Sequence, residues 1–402
     1  MRIGTVSLSL LLATALTLTG NALLSTLAAV RLADAGVSEA VSGWVLACYF
    51  AGLTAGTLVL PPTIRRVGHV RAFAAVAALG VATAIAHAIV PPGWAWALLR
   101  GTSGLAMAGV YMTVESWLNA DARAGQRGRV MAAYLVALYL GGVLGQLLLP
   151  LWPETGIETF AVAAFALSLA VIPVSLTRVP APSLHAAGRM TARELLRLAP
   201  LGWLGASLSG FVAGTLYANV PLAARSAGLS TSDVSLLMTG LLLGGLAGQW
   251  PIGWLSDRMD RRLVLLGVPA LLTVLCLVPP SLAEAGGALQ WILPFVFGAL
   301  AFSIYPLAVA HTLDRVGEAN ALAAAAQTLL ASSVGAILGP VVAAAATGPL
   351  GRDALFVVDG LVLGVFTLAA ALRVLRVAPV AQEPFLPVPR TTPVVHELDP
   401  RT

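Results

Sequence analysis

The 402-residue chain contains no lysine, so all 23 of its basic side chains are arginine. That absence removes one mechanism: a Gly-x-x-x-x-Gly-Lys-Ser/Thr loop needs its lysine, so nucleotide hydrolysis through such a loop is excluded. Charge of either sign is scarce, at 10% of residues against 58% hydrophobic ones. A water-soluble protein cannot hide so much apolar side chain while covering its surface with so little charge. With a mean hydropathy of +0.89, the outer solvent is expected to be lipid. Cysteine is nearly missing. Cys48 and Cys276 sit in separate apolar runs without a second cysteine or histidine at ligand spacing, so neither a disulfide nor a metal site is expected. No Ser–His pair, His cluster or Asp-rich metal motif stands out, so no enzymatic activity and no cofactor is expected. A soluble output domain of the kind a sensor carries is not expected either.

Long apolar runs fill that space. A bilayer core of ~30 Å needs about 20 apolar residues per helix, and twelve such stretches fit: 6–31, 40–62, 70–90, 94–119, 129–151, 156–177, 200–224, 232–255, 262–283, 288–312, 320–346 and 353–375. The first continues through Leu23, Leu24, Leu27 and Val30, too long for a signal peptide, so it reads as an uncleaved helix. Strands are not expected, because an open sheet edge leaves backbone groups unsatisfied in lipid. The loops shared with the two termini collect nineteen of the 23 arginines; Arg31, Arg225 and Arg352 fall opposite and Arg100 lies within a span. Arginine marks the cytoplasmic side, which puts both termini inside and assigns the chain to a bacterial inner membrane. The net charge of +5 follows from the same rule and implies no nucleic-acid partner.

The apolar rhythm breaks once, at residues 178–199, with Pro180, Pro182 and several charges. This stretch reads as a cytoplasmic linker between six-helix halves at 1–177 and 200–376, followed by a Pro-rich, disordered cytoplasmic tail at 377–402. The halves repeat. Ala35-Gly-Val-Ser38 returns 192 positions later as Ala227-Gly-Leu-Ser230, and the glycines Gly52 and Gly56 return as Gly244 and Gly248. Gly104 with Val110-Tyr111 returns after 194 positions as Gly298 with Ile304-Tyr305, and Gly141 and Gly145 as Gly335 and Gly339. Parallel repeats in a membrane place a substrate site between the halves, near the midplane.

Particular motifs refine this. The turn after the eighth span reads Gly253-Trp-Leu-Ser-Asp257-Arg258-Met-Asp260-Arg261-Arg262, and its degenerate first-half copy carries Arg65, Arg66, Gly68 and Arg71. The fourth span opens with Arg100-Gly-Thr-Ser-Gly104 and ends with Glu115-Ser-Trp-Leu-Asn119, before Arg127-Gly-Arg129. These stretches resemble the major facilitator loop signature Gly-x-x-x-Asp-Arg-x-Gly-x-Arg-Arg, its Arg-x-x-x-Gly helix and its inner-gate Glu and Arg-Gly network. Val114-Glu115-Ser116, Ala132-Ala-Tyr134, Gly248-Gln-Trp-Pro-Ile-Gly253 and Tyr305-Pro306 are similar to the YcaD-like branch of that superfamily, which brings no substrate with it. Gln146 stands where drug/proton antiporters of the superfamily carry Pro after the fifth-helix glycines.

The resemblance implies an all-α integral membrane fold of twelve helices in two pseudo-symmetric six-helix bundles, working as a monomer by rocker-switch alternating access. The implied partners are a small-molecule substrate, the lipid bilayer and protons as coupling ion, with efflux of broad apolar specificity as the alternative. Arg100, Asn21, Tyr111, Tyr217, Asn219 and Tyr305 are the candidate cavity residues. Arg100 has a second reading, as a side chain reaching back to the interface. Glu115, Arg66, Arg71, Arg127, Arg129, Asp257, Arg258, Arg261 and Arg262 are the candidate gating or coupling groups, with arginines expected to neutralise Glu115. For Arg65, Arg66 and Arg71 the alternative is that they only set topology. Asp359, an acid within the last span, is the other candidate protonation site.

Overall fold

The computed structural model describes residues 5–122, 126–153, 156–176, 190–278, 288–316, 320–378 and 380–394. Among them the chain is helical, with no strand: α1 (Thr5–Asp34), α2 (Glu39–Val59), a short α3 (Pro61–Val67), α4 (His69–Ile89), α5 (Ala95–Asp121), α6 (Arg127–Leu148), α7 (Glu158–Leu169), α8 (Val171–Ser175), α9 (Ala192–Leu198), α10 (Pro200–Ser226), α11 (Thr231–Arg258), α12 (Arg261–Cys276), α13 (Leu289–Ala301), α14 (Ile304–Leu313), α15 (Ala321–Leu350) and α16 (Ala354–Val374). Nine stretches of the described residues are long and apolar enough to cross a bilayer, or ten when α9 and α10, bent by 118°, count as one. Two of the nine are broken helices, α7 with α8 and α13 with α14. Of the twelve expected spans, α5 and α12 fall outside that count. Helix α5 has the length, at 27 residues, but carries Arg100, Glu115 and Asn119; α12 has only 16 residues.

The sequence repeat becomes a repeat of helix ends and helix crossings. In each Ala-Gly-x-Ser copy the glycine takes a left-handed backbone, φ +67° at Gly36 and +91° at Gly228, which side chains with a Cβ resist. Val37 N then donates to Leu32 O and Leu229 N to Ala224 O, both at 3.1 Å, closing α1 and α10 in the same way. The serine that follows caps the next helix: Ser38 accepts from Val41 N in α2, and Ser230 forms a capping box with Asp233 in α11. One tetrapeptide therefore stops one helix and starts another, twice.

Glycines let the paired helices touch backbone to backbone. A Cβ at Gly141 or Gly145 would meet the Ala15 and Thr19 carbonyls of α1, as one at Gly335 or Gly339 would meet the Ser207 and Phe211 carbonyls of α10. Gly52 and Gly104 bring α2 onto α5 at Gly101 and Tyr49, and Gly244 and Gly298 bring α11 onto α13 at Phe295 and Leu241. In lipid no hydrophobic force drives helices together, so close backbone approach is the packing that remains.

The repeats are joined chiefly by three helix pairs, α2 with α15, α6 with α11 and α1 with α10, and α2 also meets α10. At the end that holds Asp34 the seam is tight. Gly43 lies on the Pro340 carbonyl, Ser235 Oγ donates to Gln146 O at 2.6 Å, and Arg225 Nε donates to Asp34 at 2.6 Å. At the opposite end residues 380–394 lie against helices of both repeats, bonded to Asp257, Asp314 and Ser209 of the second and to Glu115 of the first. The tail expected to be disordered at 377–402 is therefore seated over 380–394, with Val388, Thr391, Thr392 and Val394 buried. Its proline-rich composition suggested disorder, but Asp257, Asp314 and Glu115 on the helices supply acceptors that water would otherwise give. Much of the expected linker, at 177–189, lies outside the described residues; its end forms α9, capped by Thr191 and Glu194.

Candidate functional site: a polar cavity between the repeats

A cavity of about 200 Å³ lies on the seam, lined by α1, α2, α5 and α6 on one side and α10, α11, α14 and α15 on the other. Its first-repeat wall is built around Arg100. The α2–α5 crossing at Gly52 and Gly101 sets Arg100 beside Tyr49, with the guanidinium carbon 4.7 Å from the ring centroid. Asn21 Nδ2 donates to the Tyr49 hydroxyl at 3.1 Å, and Arg100 Nη2 donates to Ser25 Oγ at 3.0 Å. Tyr111 of α5 belongs to the same buried cluster as Tyr49. Arg100 is only 2% exposed, and its Nε and Nη1 are buried without a hydrogen-bond partner. A buried guanidinium has five N–H groups to satisfy, and two nitrogens of this cavity-lining residue have no acceptor.

The second-repeat wall is aromatic. Tyr217 stacks near Phe302 at 5.4 Å between centroids, and Tyr139 meets Phe302 edge-on at 6.2 Å. The break between α13 and α14 brings Phe302 and Tyr305 to the cavity. Gln249 Nε2 caps the Phe302 carbonyl at 3.2 Å, one of the carbonyls the break frees.

Five of the six expected cavity residues meet here: Asn21, Arg100, Tyr111, Tyr217 and Tyr305. Arg100 faces this cavity instead of reaching back to the interface. Asn219 does not line it; its Nδ2 donates to the Pro340 carbonyl at 3.2 Å, bolting α10 to α15. Tyr49, Ser25, Tyr139, Gln146, Gln249 and Arg390 line the cavity too, and none of them is among the six residues expected there. Tyr49 carried a usable signal: it precedes Gly52 by one helical turn, and that glycine and Gly101 mark the crossing that places it.

The expected gating groups are scattered. Glu115 is fully buried at the open end, where it accepts from the Tyr134 hydroxyl at 2.8 Å and from the Thr391 and Thr392 hydroxyls. Arg66, Arg71 and Arg129 are exposed and Arg127 half-buried, so hydroxyls, where arginines were expected, supply these contacts. In the turn after α11, Arg261 is buried and bonded to Asp314, to Ser256 Oγ at 2.9 Å and to Glu383 O at 2.6 Å. Arg262 binds Asp260 at 2.6 Å and the Val377 carbonyl. That pairing holds the Asp260 carboxyl below its usual range, through the Arg262 hydrogen bond first. Asp257 accepts from Phe385 N at 2.6 Å and lies 3.6 Å from Arg261, while Arg258 stacks on Trp254 at 3.9 Å. Asp359, in α16, is fully buried, with Thr215 of α10 near its carboxyl.

Comparison with known proteins places this geometry. A model of the Major Facilitator Superfamily matches residues 10–332 and 202–397. An uncharacterized MFS-type transporter of Enterobacter sp. (strain 638) is 32% identical over 321 residues, covering 79% of this chain and 83% of its own. The uncharacterized MFS-type transporter YcaD of Escherichia coli O139:H28 is 32% identical over 324 residues, with the same coverages. Among solved structures, a bacterial homolog of the human lysosomal transporter Spinster, inward-facing and occupied, aligns with a TM-score of 0.72 at 16% identity, over 92% of this chain and 97% of that one. The D-xylose-proton symporter aligns at 0.67 and 18%, over 93% and 98%, and the nucleoside transporter NupG at 0.73 and 12%, over 93% and 100%. The chain belongs to the Major Facilitator Superfamily.

Proposed function

We propose that this member of the Major Facilitator Superfamily is a secondary transporter of a small solute with an anionic group, bound at Arg100 between two six-helix halves. Helices α5 and α12 complete twelve spans, with halves at 1–177 and 200–376. Of the polar residues that make α5 a poor apolar helix, Arg100 lines the cavity and Glu115 is fully buried, as expected of intramembrane polar groups with a function. The arginine-rich loops and both termini face the cytoplasm of a bacterial cell, across the inner membrane. The closed Asp34 end is then the outer face, and the state is cytoplasm-facing. The halves rock about the seam of α1, α2, α6, α10, α11 and α15 in a single chain. Protons are the coupling ion we favour, with Glu115 and Asp359 as the buried acids that could carry them; a proton symporter among its structural neighbours agrees with this.

The observation that carries the reading is Arg100, buried in the cavity wall with two nitrogens idle. Burying a charge without full pairing costs several kcal/mol, and a ligand that completes the pairing offsets that cost only while bound. The test is thermal stabilisation of the purified protein by a panel of metabolites and drugs, alongside Arg100→Ala. A ligand at 100 times its Kd stabilises by ~2.7 kcal/mol. Stabilisation by one class of small carboxylates or phosphates, lost in Arg100→Ala, supports the reading. Stabilisation by apolar cations or dyes alone, kept in Arg100→Ala, replaces it with broad efflux.

A further inference from the structure

We propose that residues 380–394 are a built-in plug that holds the transporter in its cytoplasm-facing state and must leave its seat for each turnover. This rests on the alternating-access reading above. The segment is tied to helices of both repeats. On the second, Phe385 N donates to Asp257, Glu383 N to Asp314 at 3.1 Å, and Arg390 Nη1 to the Ser209 carbonyl at 3.1 Å. On the first, Thr391 and Thr392 donate to Glu115. Val388 packs with Trp117, Met131 and Tyr134, and Val394 with Ile64 and Met112.

The seat matches its occupant. A Cβ at Gly253, the glycine of the Gly-x-x-x-Asp signature, would collide with the Phe385 ring, so the missing side chain leaves a slot for that ring. Glu115 has acceptor capacity for several donors, and two adjacent threonine hydroxyls use it. The strap reads Pro384-Phe-Leu-Pro387-Val-Pro389-Arg-Thr-Thr-Pro393. Four prolines fix φ and remove donors, which narrows the conformations open to the free segment and so the entropy lost on seating. Seated, the chain bends at Arg390 and Thr391 and turns again at Pro393 and Val394. Its residues Val388, Pro389, Arg390 and Thr391 form part of the cavity wall, and a segment bonded to both repeats keeps their ends from closing on each other while it is seated.

A reporter cysteine tests this without a transported solute. Ser333 lines the cavity and is half-buried. In a Cys48→Ser background, Ser333→Cys is labelled with a membrane-impermeant maleimide in inverted membrane vesicles. Two versions release the plug from opposite sides: Arg390→Ala with Thr391→Val and Thr392→Val alters the strap, and Gly253→Ala alters only its seat. Each is checked for an unchanged elution profile in detergent. The expected result is slow labelling with the plug intact and roughly ten-fold faster labelling in both versions, as for a site exposed by local opening. Equal rates throughout, whether all fast or all slow, overturn the proposal. The readout is independent of the ligand assay, so the plug can fail while the anion reading stands, or the reverse.

Discussion

Arg100 and Tyr49 form one unit across two helices: the guanidinium lies over the ring at 4.7 Å, and Asn21 fixes the ring's hydroxyl at 3.1 Å. A cation over an aromatic face gains about 0.5–2 kcal/mol, which offsets only part of the cost of burying it. Arg100→Met is therefore expected to leave the melting temperature equal or raise it, while abolishing the response to anionic ligands. A melting curve with and without ligand checks both halves. A large loss of stability in the ligand-free variant would make Arg100 a structural residue.

Glu115 accepts from Tyr134, Thr391 and Thr392. Glu115→Ala leaves these buried hydroxyls without that acceptor, at about 1–3 kcal/mol for an unmet group. Glu115→Gln keeps one amide oxygen and is expected to lose less. Combining Glu115→Ala with Thr391→Val and Thr392→Val should recover part of the loss, because the donors go with the acceptor. Additive losses in thermal melts would show that the threonines act elsewhere.

The paired glycines should fail in pairs. Gly104→Ala drives a Cβ into the Tyr49 carbonyl and Gly298→Ala drives one into the Leu241 carbonyl; each is expected to destabilise by roughly 1–3 kcal/mol through overpacking. Gly267→Ala, in α12 with open space around it, should be neutral or stabilise by up to about 1 kcal/mol. Stability of the three variants in detergent measures the contrast, and equal effects would remove the backbone-contact account of the repeat.

Asp260 predicts a sign in pH. Its carboxyl, hydrogen-bonded by Arg262, titrates below the ordinary value of 3.8. A depressed folded value contributes stability above 3.8, and that contribution disappears as pH falls through the folded value. Asp260→Asn is therefore expected to melt lower than the parent at neutral pH, with the gap narrowing as pH drops below 3.8. A gap that widens on acidification would reverse the assignment.

Most of the helices were legible because lipid imposes length and apolarity on each span, and the two Ala-Gly-x-Ser copies marked helix ends by their own backbone preference. The exceptions have a common cause. Helix α5 fails a plain apolarity test because its polar residues face other protein and not lipid. The tail resisted reading because proline-rich polar sequence is compatible with both disorder and an extended seat. Glu115 was expected to meet arginine, yet Arg66, Arg71 and Arg129 extend to solvent, where long basic side chains are cheaply hydrated. Asn219 was placed in the cavity by its helix alone, and its direction around that helix sent it to Pro340.

By itself the sequence determined the membrane setting, the duplicated architecture and the presence of one arginine within a span, since composition and spacing act locally along the chain. Only the tertiary structure decided that Arg100 meets Tyr49 and Ser25, that Glu115 meets Thr391 and Thr392, and that Phe385 fills the slot over Gly253. Those contacts join residues far apart in the chain, and their partners are set by which helices cross, at what depth and in which direction each side chain leaves its helix.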